Sequence, residues 1–289
     1  MSVSQSPRGS SRLLSPPRPA RIAIAAAAAM LAGGLGAPSE ALSAADDAIV
    51  LASHRAVYDL SLLRGGGDVI DAEGRIVYEF VGNACEGYTT NVRQLTTLVG
   101  DIGEMTLDTN VTTFEDSEAG ALSFRTRTLL DGVPMMRTRG EAEIADGELR
   151  IMLEEPRSDE IVHAEAPAFP AQHIIAILDA ARSGDAILAM AVFDGGDEGD
   201  DIHDTLAVIG AALGPDEDSA FSQLTQTQRW RVTLSYFDRG EAGDGTPGYV
   251  AGFDLHENGV TTDLTLDFGD FALAGTMTSI EFLDTGPCP

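Results

Sequence analysis

Five histidines are the residues of this 289-residue chain best suited to proton transfer or metal binding: His54, His163, His173, His203 and His256. A zinc site draws its ligands at short recurrent spacings such as His-Glu-x-x-His, and no two of these histidines stand that way. Ligands would have to gather from distant segments, so no metal is assigned. Each histidine taken singly reads as a surface or hydrogen-bonded side chain. His54 is the one placed to matter, because it opens the first strand-like run, Ser53-His-Arg-Ala-Val-Tyr58. With an aspartate brought near by folding, His54 or His256 could act as a general base, which is the only hydrolase reading the residues offer. The acidic run Asp194-Gly-Gly-Asp-Glu-Gly-Asp-Asp201 has the oxygen ligands that calcium prefers but not the spacing of a calcium loop, and it reads as a solvated acidic loop.

Other chemistries are missing at the level of residue type. All 18 basic residues are arginine. Without lysine there is no P-loop lysine, no Schiff base and no Ser-x-x-Lys nucleophile. No Gly-x-Ser-x-Gly elbow occurs, and no parallel βαβ pattern exists to carry a dinucleotide. Trp230, the only tryptophan, lies in an alternating run and reads as a core residue. The expectation is a protein that is not an enzyme, with no catalytic residues, no cofactor, and ligand-binding residues that remain unassigned.

Cys85 and Cys288 are the only cysteines. Neither belongs to a Cys-x-x-Cys pair, which argues against thiol redox work. One falls early in the folding part and the other is second from the end. In an exported chain such a pair reads as a disulfide, Cys85–Cys288, joining an early strand to the last one and keeping that strand from peeling away; free thiols are the alternative. Export is itself legible. Residues 1–45 combine a basic, Ser/Pro-rich start (Arg8, Arg12, Arg18, Arg21), a short apolar run over Ile22–Leu31, and small residues up to Ala45. That is the layout of a secretory signal peptide, cleaved after Ala45 or after Ala41. The run is too short and Ala-rich to anchor convincingly, and no other long apolar run exists, so no transmembrane segment is expected in the mature chain. Beyond Ala45 there are 45 acidic residues against 14 arginines, a formal charge of −31. Such a field disfavours nucleic acid and anionic membranes.

The elements that must position any site are strands. Arg75–Val81, Met105–Phe114, Leu122–Leu129, Trp230–Tyr236 and Leu264–Phe268 alternate apolar with polar residues, the pattern of strands with one buried and one wet face. Asp146-Gly147 and Asn258-Gly259 predict two-residue hairpins of type I′. Ala186–Phe193 and Thr205–Ile209 are further strands. Between the strands of the two halves, Pro170–Ser183 has helical spacing, proline at its start and Gly184 just after it. The fold class is mainly all-β: a dozen or more antiparallel strands over residues 46–289, read as a single domain, with one short helix near the middle. A sheet of that size must curl or close.

Several short segments, in order, resemble the EipB family of periplasmic cell-envelope integrity proteins of Gram-negative bacteria. They are His54-Arg-Ala-Val-Tyr-Asp-Leu-Ser-Leu62, Gly74-Arg-Ile-Val-Tyr-Glu-Phe80, Cys85-Glu-Gly-Tyr88 with Arg93, Phe169-Pro-x-x-His173, Val192-Phe-Asp-Gly195, Trp230 with Ser235-Tyr-Phe237, Pro247-x-Tyr249, Glu257-Asn-Gly259 and Asp267-Phe-Gly-Asp-Phe271. The resemblance covers essentially the whole mature chain. It implies a β-spiral, an oval broken barrel, with an internal disulfide, here Cys85–Cys288. It also implies a role in envelope integrity, and a likeness to periplasmic carriers of lipoprotein acyl chains. It implies no catalytic residues. The expected function is a non-catalytic periplasmic protein that binds a protein partner, of the helical-repeat type. The alternative is a carrier of a lipid or other apolar ligand held by the curved sheet; a hydrolase comes third.

Overall fold

The computed structural model describes residues 48–285 except 102, 117, 197, 217–218 and 240–244. The export segment expected over residues 1–45, and Cys288, lie outside the described residues. The first run of strands is β1 (His54–Arg64), β2 (Val69–Asn83), β3 (Gly87–Gly100), β4 (Gly103–Asp116), β5 (Ala121–Leu130), β6 (Val133–Ala145), β7 (Glu148–Glu155) and β8 (Asp159–His163). The helix α1 (Pro170–Ser183) follows. The second run is β9 (Ile187–Val192), β10 (His203–Ala212), β11 (Arg229–Asp238), β12 (Tyr249–His256), β13 (Thr261–Asp267) and β14 (Ala272–Phe282).

All are antiparallel neighbours in one 14-stranded sheet, in the order β8-β7-β6-β5-β4-β3-β2-β1-β14-β13-β12-β11-β10-β9. Two meanders therefore meet at the β1–β14 pair, and α1 carries the chain from one edge of the sheet to the other. The sheet winds into an unclosed spiral. Alternation sets its two faces, because successive side chains point to opposite sides. Arg55, Arg75, Arg93, Arg139 and Arg150 point outward, paired with Glu79, Asp59, Asp108, Glu154 and Glu160 on neighbouring strands. Ala56, Tyr58, Ile76, Phe80, Phe124, Ile151, Val232 and Leu255 point inward and are buried.

The predicted helix has the observed bounds. Pro170 takes the first position, where its missing N–H costs nothing, and Gly184 closes the other end in the left-handed region at φ 81°. Its buried face, including Ile177 and Leu178, packs on β9 and β10 and shares one core with Ala207 and Ile209 of β10, Trp230, Val232 and Leu234 of β11 and Leu255 of β12. The core role expected for Trp230 is borne out.

Three expectations need correction. β14 is not a peripheral strand: it pairs with β1 on one side and β13 on the other. The strands that can peel are β8 and β9, because the meanders place the chain's middle, not its end, at the sheet edges. The Asp146-Gly147 turn does take positive φ at both residues (54° and 82°), but at Asn258-Gly259 only the glycine does (84°). There the Gly259 N–H donates to the His256 carbonyl, and Ala52 N–H takes the Asn258 carbonyl, giving a longer turn with glycine at its left-handed position. Asp131-Gly132 is a further hairpin with both φ positive (51° and 77°), and its Asp-Gly cue was there to be read. The third correction concerns the acidic run at Asp194–Asp201, whose backbone is docked at Gly195 and Gly199 while Glu198 and Asp201 stay exposed. A Cβ at Gly195 would lie 2.2 Å from the Phe124 ring, so only glycine permits this approach, and the loop lies against the inner face of β5. Arg157 holds it from outside through Asp200 and Glu198 (3.4 Å to Glu198). Here the loop bridges the gap in the spiral: His163 Nε2 reaches the Asp200 carbonyl at 3.1 Å, and Ala168 forms a parallel bridge to Val192.

Candidate functional site

The spiral is not filled along its whole inner face. Opposite the helix, β9–β12 present Val, Leu, Ile and Trp to a packed core. Along the part of β3–β5 that faces the hollow the inward positions are instead Thr90, Thr109, Thr113, Thr126 and Thr128, with Val92 and Val111 between them. Threonine fits a strand but is too short to reach across to a facing element. The result is a cavity of about 690 Å³, bounded by that threonine bank, by His54, Tyr58 and Tyr78 of β1 and β2, by Leu264 and Leu266 of β13, and by the start of α1 at Pro170, Ala171 and Ile174. Its size falls within the roughly 300–1,000 Å³ of small-molecule pockets. Thr109 and Thr128 face each other at 3.2 Å, whereas the buried Thr126 hydroxyl has no partner among the described residues.

One end of the cavity is polar. Asp194, Gly196, Tyr236 and Tyr249 line it and also line an adjoining hollow of about 450 Å³ that adds His203, Asp238 and Phe268. Asp194 Oδ1 accepts the Gly196 N–H at 2.8 Å, which fixes the carboxylate at the junction. Burial, then the Asp194 and Tyr249 neighbours, push the Tyr236 phenol well up, so it stays protonated and able to donate. Tyr249 is pushed up by burial alone.

At the other wall a carboxylate caps the helix. Glu115 of β4 is buried, and its two oxygens accept the N–H groups of Ala171 (2.6 Å) and Gln172 (3.2 Å). The N-cap residue Phe169 carries no side-chain acceptor, so the helix takes its cap from 56 residues upstream. A negative charge at the positive end of the helix dipole is favourable. Sequence reading missed Glu115. The alternation of β4 shows only that it points inward, which is an unusual place for a glutamate, and that is the cue it offered.

The histidines are separate from one another and engaged locally. His54, which lines the cavity, has Nδ1 2.7 Å from the Ala52 carbonyl, so Nδ1 carries the proton, and burial lowers its pKa. The ring lies among Tyr78, Phe80 and Phe282. His173 on α1 donates from Nε2 to Thr205 Oγ1 (3.2 Å), whose own proton goes to the Met190 carbonyl; burial drops its pKa to about 4. His256 lies 2.6 Å from Thr227 and 3.2 Å from Thr262, its pKa lowered by burial and by Arg229. His203 stands 3.3 Å from Asp238 at the polar hollow. Among the described residues no group of His, Cys, Asp and Glu is placed to hold a metal ion. Cys85 sits in the β2–β3 turn, where its N–H is held by Asn83 Oδ1 at 2.9 Å.

This spiral and its cavity can be set beside known proteins. Residues 45–284 match the family described as EipB-like. The cell envelope integrity protein EipB of Brucella abortus (strain 2308) is 36% identical over 274 residues, which span 92% of this chain and 96% of that protein. A crystal structure of a β-barrel-like protein of a domain of unknown function, also from Brucella abortus, superposes with a TM-score of 0.78 at 34% identity, covering 82% of this chain and 100% of that one. With a matched region running from before β1 to beyond β14, and a relative this similar along nearly its whole length, the chain belongs to the EipB-like family.

Proposed function

We propose that this is an exported, non-catalytic protein that supports cell-envelope integrity by holding an apolar ligand in the hollow of its spiral. The cavity carries this reading: an apolar-walled space inside a sheet whose other half is packed solid. The printed name of the Brucella relative supports the envelope role. Native mass spectrometry of protein taken from its own periplasm tests it. A bound mass that Val111→Phe removes is expected; a ligand-free protein that also leaves a neutral apolar dye unbound overturns it.

A helical-repeat protein partner is the second reading, favoured by an outer-face hollow of about 300 Å³ between the exposed Phe114 and Met152. Recovery of one specific partner from crosslinked periplasm, lost on Met152→Glu, is the expected result.

Periplasmic residence with removal of residues 1–45, and a Cys85–Cys288 disulfide, complete the proposal. Thr285 Oγ1 reaches the Gly82 carbonyl at 3.5 Å and Ser53 Oγ at 3.2 Å, which brings the tail toward the turn that holds Cys85. No free cysteine occurs among the described residues. Cys288→Ser should lower stability by about 2–5 kcal/mol with strand content kept. An unchanged melting point refutes the bridge.

A further inference from the structure

The ligand's head group can be assigned a charge class, on the reading that the cavity holds a ligand. We propose that the cavity takes the aliphatic chain of an amphiphile whose head is uncharged or cationic, seated at Asp194, Tyr236 and Tyr249, and that it rejects anionic heads.

The argument is one of what lines the space. No arginine lines the cavity or its polar hollow among the described residues, and the chain has no lysine. Arg55, Arg75, Arg93, Arg139 and Arg150 of the first meander are turned to the outer face and paired there. A helix N-terminus on a cavity wall is a ready anion site. Here that site is already filled, because Glu115 accepts the Ala171 and Gln172 N–H groups, and the His173 N–H is taken by the Phe169 carbonyl. His54 spends its Nδ1 proton on the Ala52 carbonyl. The acid at the mouth, Asp194, is fixed by Gly196 and faces the same hollow as Asp238. A carboxylate, sulfate or phosphate head would thus meet like charge with no arginine to offset it, and His203, the one basic side chain lining the hollow among the described residues, stands 3.3 Å from Asp238. An ammonium or hydroxylated head finds a carboxylate and phenol hydroxyls at hydrogen-bonding positions.

The test is a matched set of twelve-carbon amphiphiles below their micellar concentrations: dodecylamine, dodecyl maltoside and dodecyl sulfate. Each displaces a neutral naphthylamine dye from the mature protein in physiological salt, where exposed charges more than about 8 Å apart are largely screened. The amine and the maltoside should each compete at least about tenfold better than the sulfate, a difference of about 1.4 kcal/mol. Asp194→Asn should shrink that gap to about threefold or less, with the melting temperature confirming folding. Val111→Phe should abolish displacement by all three, which separates the cavity from adsorption of the amine to an acidic surface. Equal competition by the sulfate, or a gap unchanged in Asp194→Asn, overturns the head-group assignment while leaving the carrier reading intact. Failure of wild type to bind the dye or any of the three overturns the carrier reading itself.

Discussion

The inner faces of β9–β12 and of β3–β5 are built on the same alternation and put it to opposite use. On the first, Ala207, Ile209, Trp230, Val232, Leu234 and Leu255 meet the apolar side of α1, and the space closes. On the second, threonines line the hollow, α1 presents only its first turn there (Pro170, Ala171 and Ile174), and the space stays open. The polar groups differ in the same way. Thr205, in the filled half, has its hydroxyl committed to Met190 and His173; Thr126, in the hollow half, has its hydroxyl uncommitted. An identical strand architecture can therefore supply a rigid core and a binding space, depending on whether the inward side chains are long enough to touch a partner.

The sharpest way to break this comparison is to truncate both halves. Ile177→Ala removes a fully buried side chain from the packed half and should cost about 2–5 kcal/mol in urea unfolding. Val111→Ala enlarges a space that already exists and should cost under about 1 kcal/mol while changing ligand uptake. Similar losses at the two sites would mean that the hollow half is packed after all.

Acid should find the filled half first. His173 has an ordinary pKa of 6.5 when unfolded and about 4 when folded. Between those values the unfolded chain binds a proton that the folded chain refuses, so stability is full above about pH 6.5 and falls as pH drops toward 4. The shift corresponds to about 3 kcal/mol, as an upper figure. His173→Gln should flatten the pH dependence of the melting temperature in that window by a comparable amount. His54 and His256 shift in the same direction and leave a residual slope. An unaltered slope in His173→Gln would place the acid sensitivity elsewhere.

Glu115 joins the two halves, since it rises from the hollow side to cap the helix of the filled one. Glu115→Ala strands buried N–H groups and should cost about 1–3 kcal/mol, whereas Glu115→Gln, which keeps one acceptor, should cost less. The smallest effect is the paired comparison of hydroxyls. Thr205→Val should destabilise by about 1 kcal/mol, and Thr126→Val should be neutral or stabilising by a similar amount, because it removes a buried hydroxyl with no partner. Destabilisation by Thr126→Val would show that the hydroxyl is bonded to water or ligand in solution.

Local signals reached a long way in this chain. Pro170 and Gly184 bracketed α1 because proline suits the first helical position and glycine the left-handed residue that ends a helix. Asp146-Gly147 marked its hairpin because a tight turn needs positive φ at those two residues and nowhere else. His54 was marked as the start of the first strand, and it is, but its place on the cavity wall depends on Tyr78 and Phe80 of β2 and Phe282 of β14 coming from two other runs of chain. The acidic loop misled. Its carboxylates suggested solvent, while its glycines were what let it pack against Phe124.

Residue type and spacing by themselves determined most of the strands, the helix and its bounds, the inward and outward faces, and the absence of any lysine-based chemistry, because each follows from periods of two or 3.6 residues and from composition. Tertiary structure alone decided which inward faces would meet a partner. That the last strand lies in the middle of the sheet, that Glu115 caps a helix 56 residues away, and that a row of threonines encloses a cavity are all consequences of the order in which strands pair. Strand order is a long-range choice, and alternation, being the same in every strand, carries no record of it.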